Sequence, residues 1–161
     1  MLPAQACYEA AIQVLPPENV RLDVINMSRE VGKDGKVCGV RLDGSKIGGP
    51  VDGALILLPD PMGATGGTIC RVAEVYKALG GTPHAIAAAH LMATPEAVHQ
   101  VTAEHPDVKS DAGRRERGVS TERALAAIPG QCPKEERGLN DVQYIVPGAG
   151  GMGELLTNSW V

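Results

Sequence analysis

With 161 residues the chain has room for one core of ordinary domain size and little room for two. Hydrophobic residues make up 43% of it, yet it has no Phe, one Trp and three Tyr, so a core must be assembled from Ala, Val, Leu and Ile. The 15 basic and 19 acidic side chains give a net charge of -4, which offers no broad cationic field and argues against nucleic acid as a main partner.

In chain order, residues Gln5 to Leu15 place Tyr8, Ala11, Ile12 and Leu15 on one helical face, and Pro16-Pro17 stops the helix. From Val20 to Ile25, apolar Val20, Leu22 and Val24 alternate with Arg21 and Asp23, which predicts a half-buried strand. Gly32 to Gly35 reads as a turn, and the polar, Gly-rich stretch from Lys36 to Pro50 fits a hairpin or flap. Ala54 to Leu58 is an unbroken apolar run of strand length, as expected where both faces of a parallel strand are covered, and Pro59-Asp60-Pro61 predicts a turn after it.

Ile69, Val72, Tyr76 and Leu79 then recur at helical spacing, with Gly80-Gly81 as the cap that ends the helix. His84 to Leu91 is a second small-residue strand, and Thr94-Pro95 supplies an N-cap followed by Pro at the first helical position. Residues Lys109 to Arg137 are charge-rich and read as an irregular insertion with one short helix near Thr121 to Ile128; the Arg114 to Arg117 run reads as a solvated face. Gln143 to Val146 resumes as a short strand before the glycine-rich run Gly148 to Gly153. The expected architecture is a single α/β domain over residues 1–161, with a mainly parallel sheet and helices on both faces.

The chemistry concentrates in Asp60, Pro61, Met62, Gly63, Ala64, Thr65, Gly66, Gly67 and Thr68, which join a buried strand to a helix start. Unpaired N-H groups and the helix dipole favour an anion there. Gly66 and Gly67 permit close backbone approach, Thr65 and Thr68 add hydroxyls for a phosphate, and Asp60 is an acceptor suited to ribose hydroxyls.

Asp60 to Thr68 after an apolar strand resembles the loop for phosphoribosyl diphosphate (PRPP) of uracil phosphoribosyltransferases, within the type I phosphoribosyltransferase fold. Ala93-Thr94-Pro95-Glu96, His105-Pro106-Asp107-Val108, Gly138-Leu139-Asn140 and Tyr144-Ile145-Val146-Pro147-Gly148 resemble further blocks of that family in the same order. The resemblance implies that Asp60, Pro61, Met62, Ala64, Thr65, Gly66, Gly67 and Thr68 bind PRPP, and that Tyr144, Ile145 and Gly150 recognise uracil through backbone groups. The implied reaction gives uridine monophosphate (UMP) and diphosphate, with Mg2+ carried by PRPP, in pyrimidine salvage and in a homo-oligomer. No catalytic side chain and no protein metal ligand is assigned. Where the family has Gly-Asp-Ala-Gly-Asp, this chain reads Gly150-Gly151-Met152-Gly153-Glu154. Relative to the family it is also N-terminally short, starting past the first strand and the Arg-Ala-Gly loop that contacts diphosphate. Both departures make a catalytically impaired nucleotide-binding or regulatory module the alternative.

Cys7, Cys38, Cys70 and Cys132 form no C-x-x-C pair, which argues against a zinc site or a disulfide scaffold, and His84, His90, His99 and His105 lack metal-ligand spacing. No secretory signal or apolar run of spanning length is evident, so a cytoplasmic protein away from membranes is expected.

Overall fold

A computed structural model describes residues 2–32 and 37–149, together with Asn158. The chain opens with helix α1 (Leu2–Ala11), which starts before the expected Gln5 and ends before the expected Leu15. A short 3-10 turn at Pro17–Asn19 follows, and then an antiparallel hairpin of β1 (Val24–Val31) and β2 (Val37–Lys46). The hairpin reading is met, whereas the strand placed at Val20 to Ile25 begins only at Val24 and has the opposite facing. Ile25 and Met27 pack on the core, while Leu22 and Val24 are exposed. The cause is Asp23, which is drawn inward because its carboxylate accepts from the Tyr76 hydroxyl (2.9 Å) and the Gly48 N-H (2.9 Å). With a side-chain period of two, fixing one residue inward sets the facing of all its neighbours.

The main sheet holds β3 (Leu55–Pro59), β4 (Met62–Gly63), β5 (Ala85–Ala93) and β6 (Val108–Arg115), all parallel, with β5 central. β3 and β4 pair with the same edge of β5, from Leu55 opposite Ala85 to Gly63 opposite Ala93, and no register shift intervenes. The expected turn at Pro59-Asp60-Pro61 is therefore absent. The chain bends at Pro61 but keeps its pairing with β5, because Asp60 N donates to Ala89 O and Met92 N donates to Pro61 O, so the prolines remove donors without breaking the register.

Helices α2 (Gly67–Ala78) and α3 (Pro95–Glu104) follow β4 and β5 as parallel crossovers. Their Ile69, Val72, Ala73, Tyr76 and Val101 cover Ile56, Leu58, Ile86 and Ala88 of the sheet. Thr94 is the N-cap of α3, accepting from Ala97 N, and Pro95 opens the helix as expected. Leu79, assigned to the buried face of α2, is exposed, because the helix ends at Ala78. α1 lies against β3.

Ala54 to Leu58 does not behave as a strand covered on both faces: Leu55 is 63% and Leu57 45% exposed, while Ile56 and Leu58 are buried. An apolar run marks a strand, but it does not say what covers each face. The irregular reading of Lys109 to Arg137 also fails at its start, since Val108 to Arg115 forms β6 against β5. An edge strand can carry polar residues on its open side, which hides it from an apolar-run search. The short helix within that stretch is present as α4 (Glu122–Ala126), with Thr121 as its N-cap. Gln143 to Val146 is not a strand; Leu139 and Ile145 form one isolated antiparallel bridge.

Candidate functional site

Asp60, Pro61, Met62, Gly63, Ala64, Thr65, Gly66, Gly67 and Thr68 lie at the carboxyl end of the parallel sheet and lead into α2. Asp60 is half-buried and its carboxylate accepts from Met62 N (3.3 Å), while its carbonyl accepts from His90 Nδ1 (2.6 Å). A carbonyl can only accept, so that contact places the His90 ring proton on Nδ1. The loop is thus pinned from beneath by a buried side chain to which the sequence reading gave no role.

Gly66 is the N-cap of α2 in the left-handed region (φ 86), and a Cβ there would stand 2.8 Å from Ala97 O. Glycine is required at this point by contact with α3, whatever it does for a ligand. The first turn of α2 contains no acidic side chain, so its N-H groups face no built-in competitor for an anion. Thr65 is half-buried and accepts weakly from Gly67 N (3.4 Å), and Thr68 is exposed.

The second loop is brought to the same end through Thr94. Its hydroxyl donates to Ala64 O, and its N-H donates to Gly63 O (2.9 Å). Gly138 lies directly against Thr94 and Glu116: an added Cβ would be 2.9 Å from Thr94 Cβ and would collide with the Glu116 carbonyl oxygen. Glu96 holds this approach, its carboxylate accepting from Gly138 N (2.9 Å) and Leu139 N (3.3 Å). Val146 N donates to Gly138 O (2.7 Å), and Gly118 N donates to Val146 O (2.8 Å).

Tyr144 already uses its backbone on Asn140, donating to Asn140 Oδ1 (2.9 Å) and accepting from Asn140 N (2.9 Å). Ile145 is the non-hydrogen-bonded partner of Leu139, so its own N-H and C=O turn away from that pair. Of the expected uracil-recognising positions, Ile145 presents a backbone edge, Tyr144 has an exposed ring, and Gly150 lies outside the described residues, as do Gly151 and Glu154. Thr94 and Glu96 were missed as supports of the site. Asking which groups satisfy the loop's carbonyls and N-H groups would have pointed to them.

A family model described as "Uracil phosphoribosyltransferase" matches residues 42–130, more than half of the chain. This chain belongs to the uracil phosphoribosyltransferase family. The family match includes the Asp60 to Thr68 loop, α3, β6 and α4, and ends before Gly138. It also runs through residues 109–130, most of the charge-rich stretch expected to be an insertion.

Among curated relatives, the uracil phosphoribosyltransferase of Dictyostelium discoideum is 32% identical over 100 residues, covering 62% of this chain and 37% of that protein. The uracil phosphoribosyltransferase of Roseiflexus sp. (strain RS-1) is 38% identical over 112 residues, covering 70% of this chain and 43% of that protein. The matched part is thus less than half the length of either relative. The solved structure of the AQ2163 protein from Aquifex aeolicus shares the fold, with a TM-score of 0.72 at 24% identity over 99% of this chain and 62% of the other.

The Arg114 to Arg117 run, read as a solvated face, is partly interior. Glu116 is buried and paired with Arg114 (2.8 Å), and the buried Glu136 lies 3.5 Å from both Arg115 and Arg117. Glu136 also accepts from Gly130 N (2.6 Å), and Arg117 donates to Ala124 O (2.9 Å), so these charges fasten α4 and the following turn to the end of β6. Opposite charges about 20 residues apart in sequence carry no periodic signal and were legible only after folding. Among the described residues, no helix is long and apolar enough to cross a membrane.

Proposed function

We propose that this protein transfers phosphoribose from PRPP to uracil, releasing UMP and diphosphate, in a cytoplasmic salvage role. One observation carries the reading: the family-matched Asp60 to Thr68 loop opens α2 at the carboxyl end of the parallel sheet, with first-turn N-H groups free of any acidic competitor. Ala64, Thr65, Gly66, Gly67 and Thr68 would hold the 5-phosphate, with Pro61 and Met62 shaping the loop. Asp60 would accept from ribose hydroxyls, and Ile145 would present paired amide groups to the uracil edge beside Tyr144 and Gly150.

Mg2+ belongs to this scheme as the ion carried by the diphosphate. Such a hard ion takes most of its ligands from diphosphate oxygens and water, which suits a loop with one carboxylate, Asp60, better than a protein cage would. A cytoplasmic setting is supported by the scattered cysteines. The homo-oligomer is carried by the family resemblance.

The direct test is conversion of labelled uracil with PRPP and Mg2+. Turnover of about 1 per second or faster would support the full reaction. Calorimetry then reads the pocket: Thr65→Val should weaken UMP binding by roughly tenfold or more, since a charge-assisted hydrogen bond is worth about 1.5–3 kcal/mol. Absence of saturable binding of either UMP or PRPP at millimolar concentration rejects the pocket.

A second reading, a nucleotide-binding module with impaired turnover, is favoured by Gly151 standing where the family pattern has Asp. Phosphate and ribose contacts exist in ground and transition states alike, so affinity can survive when the groups that stabilise the departing diphosphate do not. UMP binding without turnover, with activity restored by Gly151→Asp, would select this reading.

A further inference from the structure

Cys70 and His105 are 35 positions apart, and their spacing predicts nothing. In the fold, Cys70 sits one turn into α2 and is 4% exposed, while His105 is the C-cap of α3 and is 8% exposed. Glu104, the last residue of α3, stands beside them on the surface. One ligand-type atom from each of the three lies within 4.8 Å of the others.

The state of His105 is the second observation. Its Nδ1 accepts from Lys77 Nζ (3.0 Å), which leaves Nε2, and Nε2 is buried with no hydrogen-bond partner among the described residues. A buried, unpaired ring nitrogen is costly, and such groups in folded proteins commonly answer to a ligand.

We propose that Cys70 Sγ, Glu104 and His105 Nε2 bind one zinc-class divalent cation between α2 and α3. The set of one sulfur, one imidazole nitrogen and one carboxylate oxygen matches the donors such an ion takes, with a fourth position left for water. Metal-ligand bonds of 2.0–2.3 Å in a tetrahedron would put neighbouring donors about 3.5 Å apart. From the 4.8 Å limit the cluster must contract by about 1.3 Å at most, and the exposed Glu104 chain provides both that movement and an entry path.

The protons balance. Burial, and then the nearby Glu104 carboxylate, push the Cys70 thiol up to about 12, so the metal-free site holds a protonated thiol. Binding forms the metal-sulfur bond and releases that proton to solvent, giving a neutral site of one dication, one thiolate, one carboxylate and one imidazole. On His105, Nε2 gives its lone pair to the metal and the ring proton moves to Nδ1. The Lys77 ammonium leaves Nδ1 and stays on Asp107 Oδ1, already 2.7 Å away. Lys77 is therefore a competitor of the metal. Without it, Asp107 can take the Nδ1 proton as the outer carboxylate that commonly supports a metal-bound imidazole.

The test uses the chelator-stripped full chain with Zn2+ and then Co2+. One zinc per chain by equilibrium dialysis is expected, together with a near-ultraviolet thiolate-to-cobalt charge-transfer band. Cys70→Ser should abolish the band, and His105→Gln should weaken binding on the order of 10–100-fold. Lys77→Met should tighten it several-fold, which distinguishes the site from adventitious binding at Cys7, Cys38 or Cys132. The Cys132→Ser variant should bind unchanged, and thermal melts of the metal-free variants establish that each is folded. The proposal is overturned if folded wild-type protein gives no thiolate band, if the band survives Cys70→Ser, or if Lys77→Met leaves affinity unaltered.

Discussion

The loop at residues 60–68 and the segment at residues 138–148 meet at one end of the sheet, yet they are held by different means. The first continues the sheet: β4 keeps the β3 register against β5, and Thr94, His90 and the α2 start fix its backbone from within. The second is hung on α3 by the Glu96 carboxylate and closed on itself by Asn140 and the Leu139 to Ile145 bridge. The first loop is built into the sheet's hydrogen-bonding pattern, while the second depends on a few side-chain contacts, so the two should fail separately.

Gly138→Ala offers the largest test of that separation. Its Cβ would collide with the Glu116 backbone carbonyl, which no side-chain rotation relieves, and a loss of about 3 kcal/mol in thermal or urea unfolding is expected. A variant of unchanged stability would show that Gly138 does not sit against Glu116 and Thr94.

Thr94→Val should be next, at about 2 kcal/mol, because it removes both the α3 N-cap and the bond to Ala64 O. Unlike the others, it touches the 60–68 loop directly. UMP or inorganic phosphate affinity should fall along with stability, and an unaltered phosphate affinity would show that the loop does not need this anchor.

Glu96→Gln keeps one acceptor but loses the charge, and about 1 kcal/mol is expected. Hydrogen exchange should rise at Gly138 and Leu139 while the Asp60, Cys70 and Thr94 amides, which donate to Ala89 O, Gly66 O and Gly63 O, stay protected. Equal loosening of both regions would break the comparison.

The smallest effect concerns acid, and lies outside both loops. Burial of Asp23 raises its pKa, but the Gly48 N-H, Arg21 and the Tyr76 hydroxyl outweigh it and hold the carboxyl below its usual 3.8. A carboxyl depressed on folding contributes stability that is present above the unfolded pKa and lost as pH falls through the folded one. Acid titration should therefore release the β1–β2 hairpin below about pH 4, and Asp23→Asn should flatten that part of the profile. An identical acid profile for the variant would remove Asp23 as the tie.

Local sequence determined much of the α/β order, because its signals are short-range. An apolar run made β3, helical spacing made α2, and Thr94-Pro95 set the start of α3. The strand-to-helix position of Asp60 to Thr68 was equally legible, since glycine and threonine before a helix advertise an anion site within nine residues. Tertiary structure alone decided which groups face one another. Asp23 reversed the facing expected of β1, β5 drew the charged Val108 to Arg115 stretch into the sheet, and Thr94 joined Ala64 to Gly138. It also set Cys70 beside His105 and Glu136 beside Arg115 and Arg117. The physical reason is that periodicity records how a segment meets a surface, whereas a buried hydrogen bond or ion pair joins residues whose separation along the chain is arbitrary.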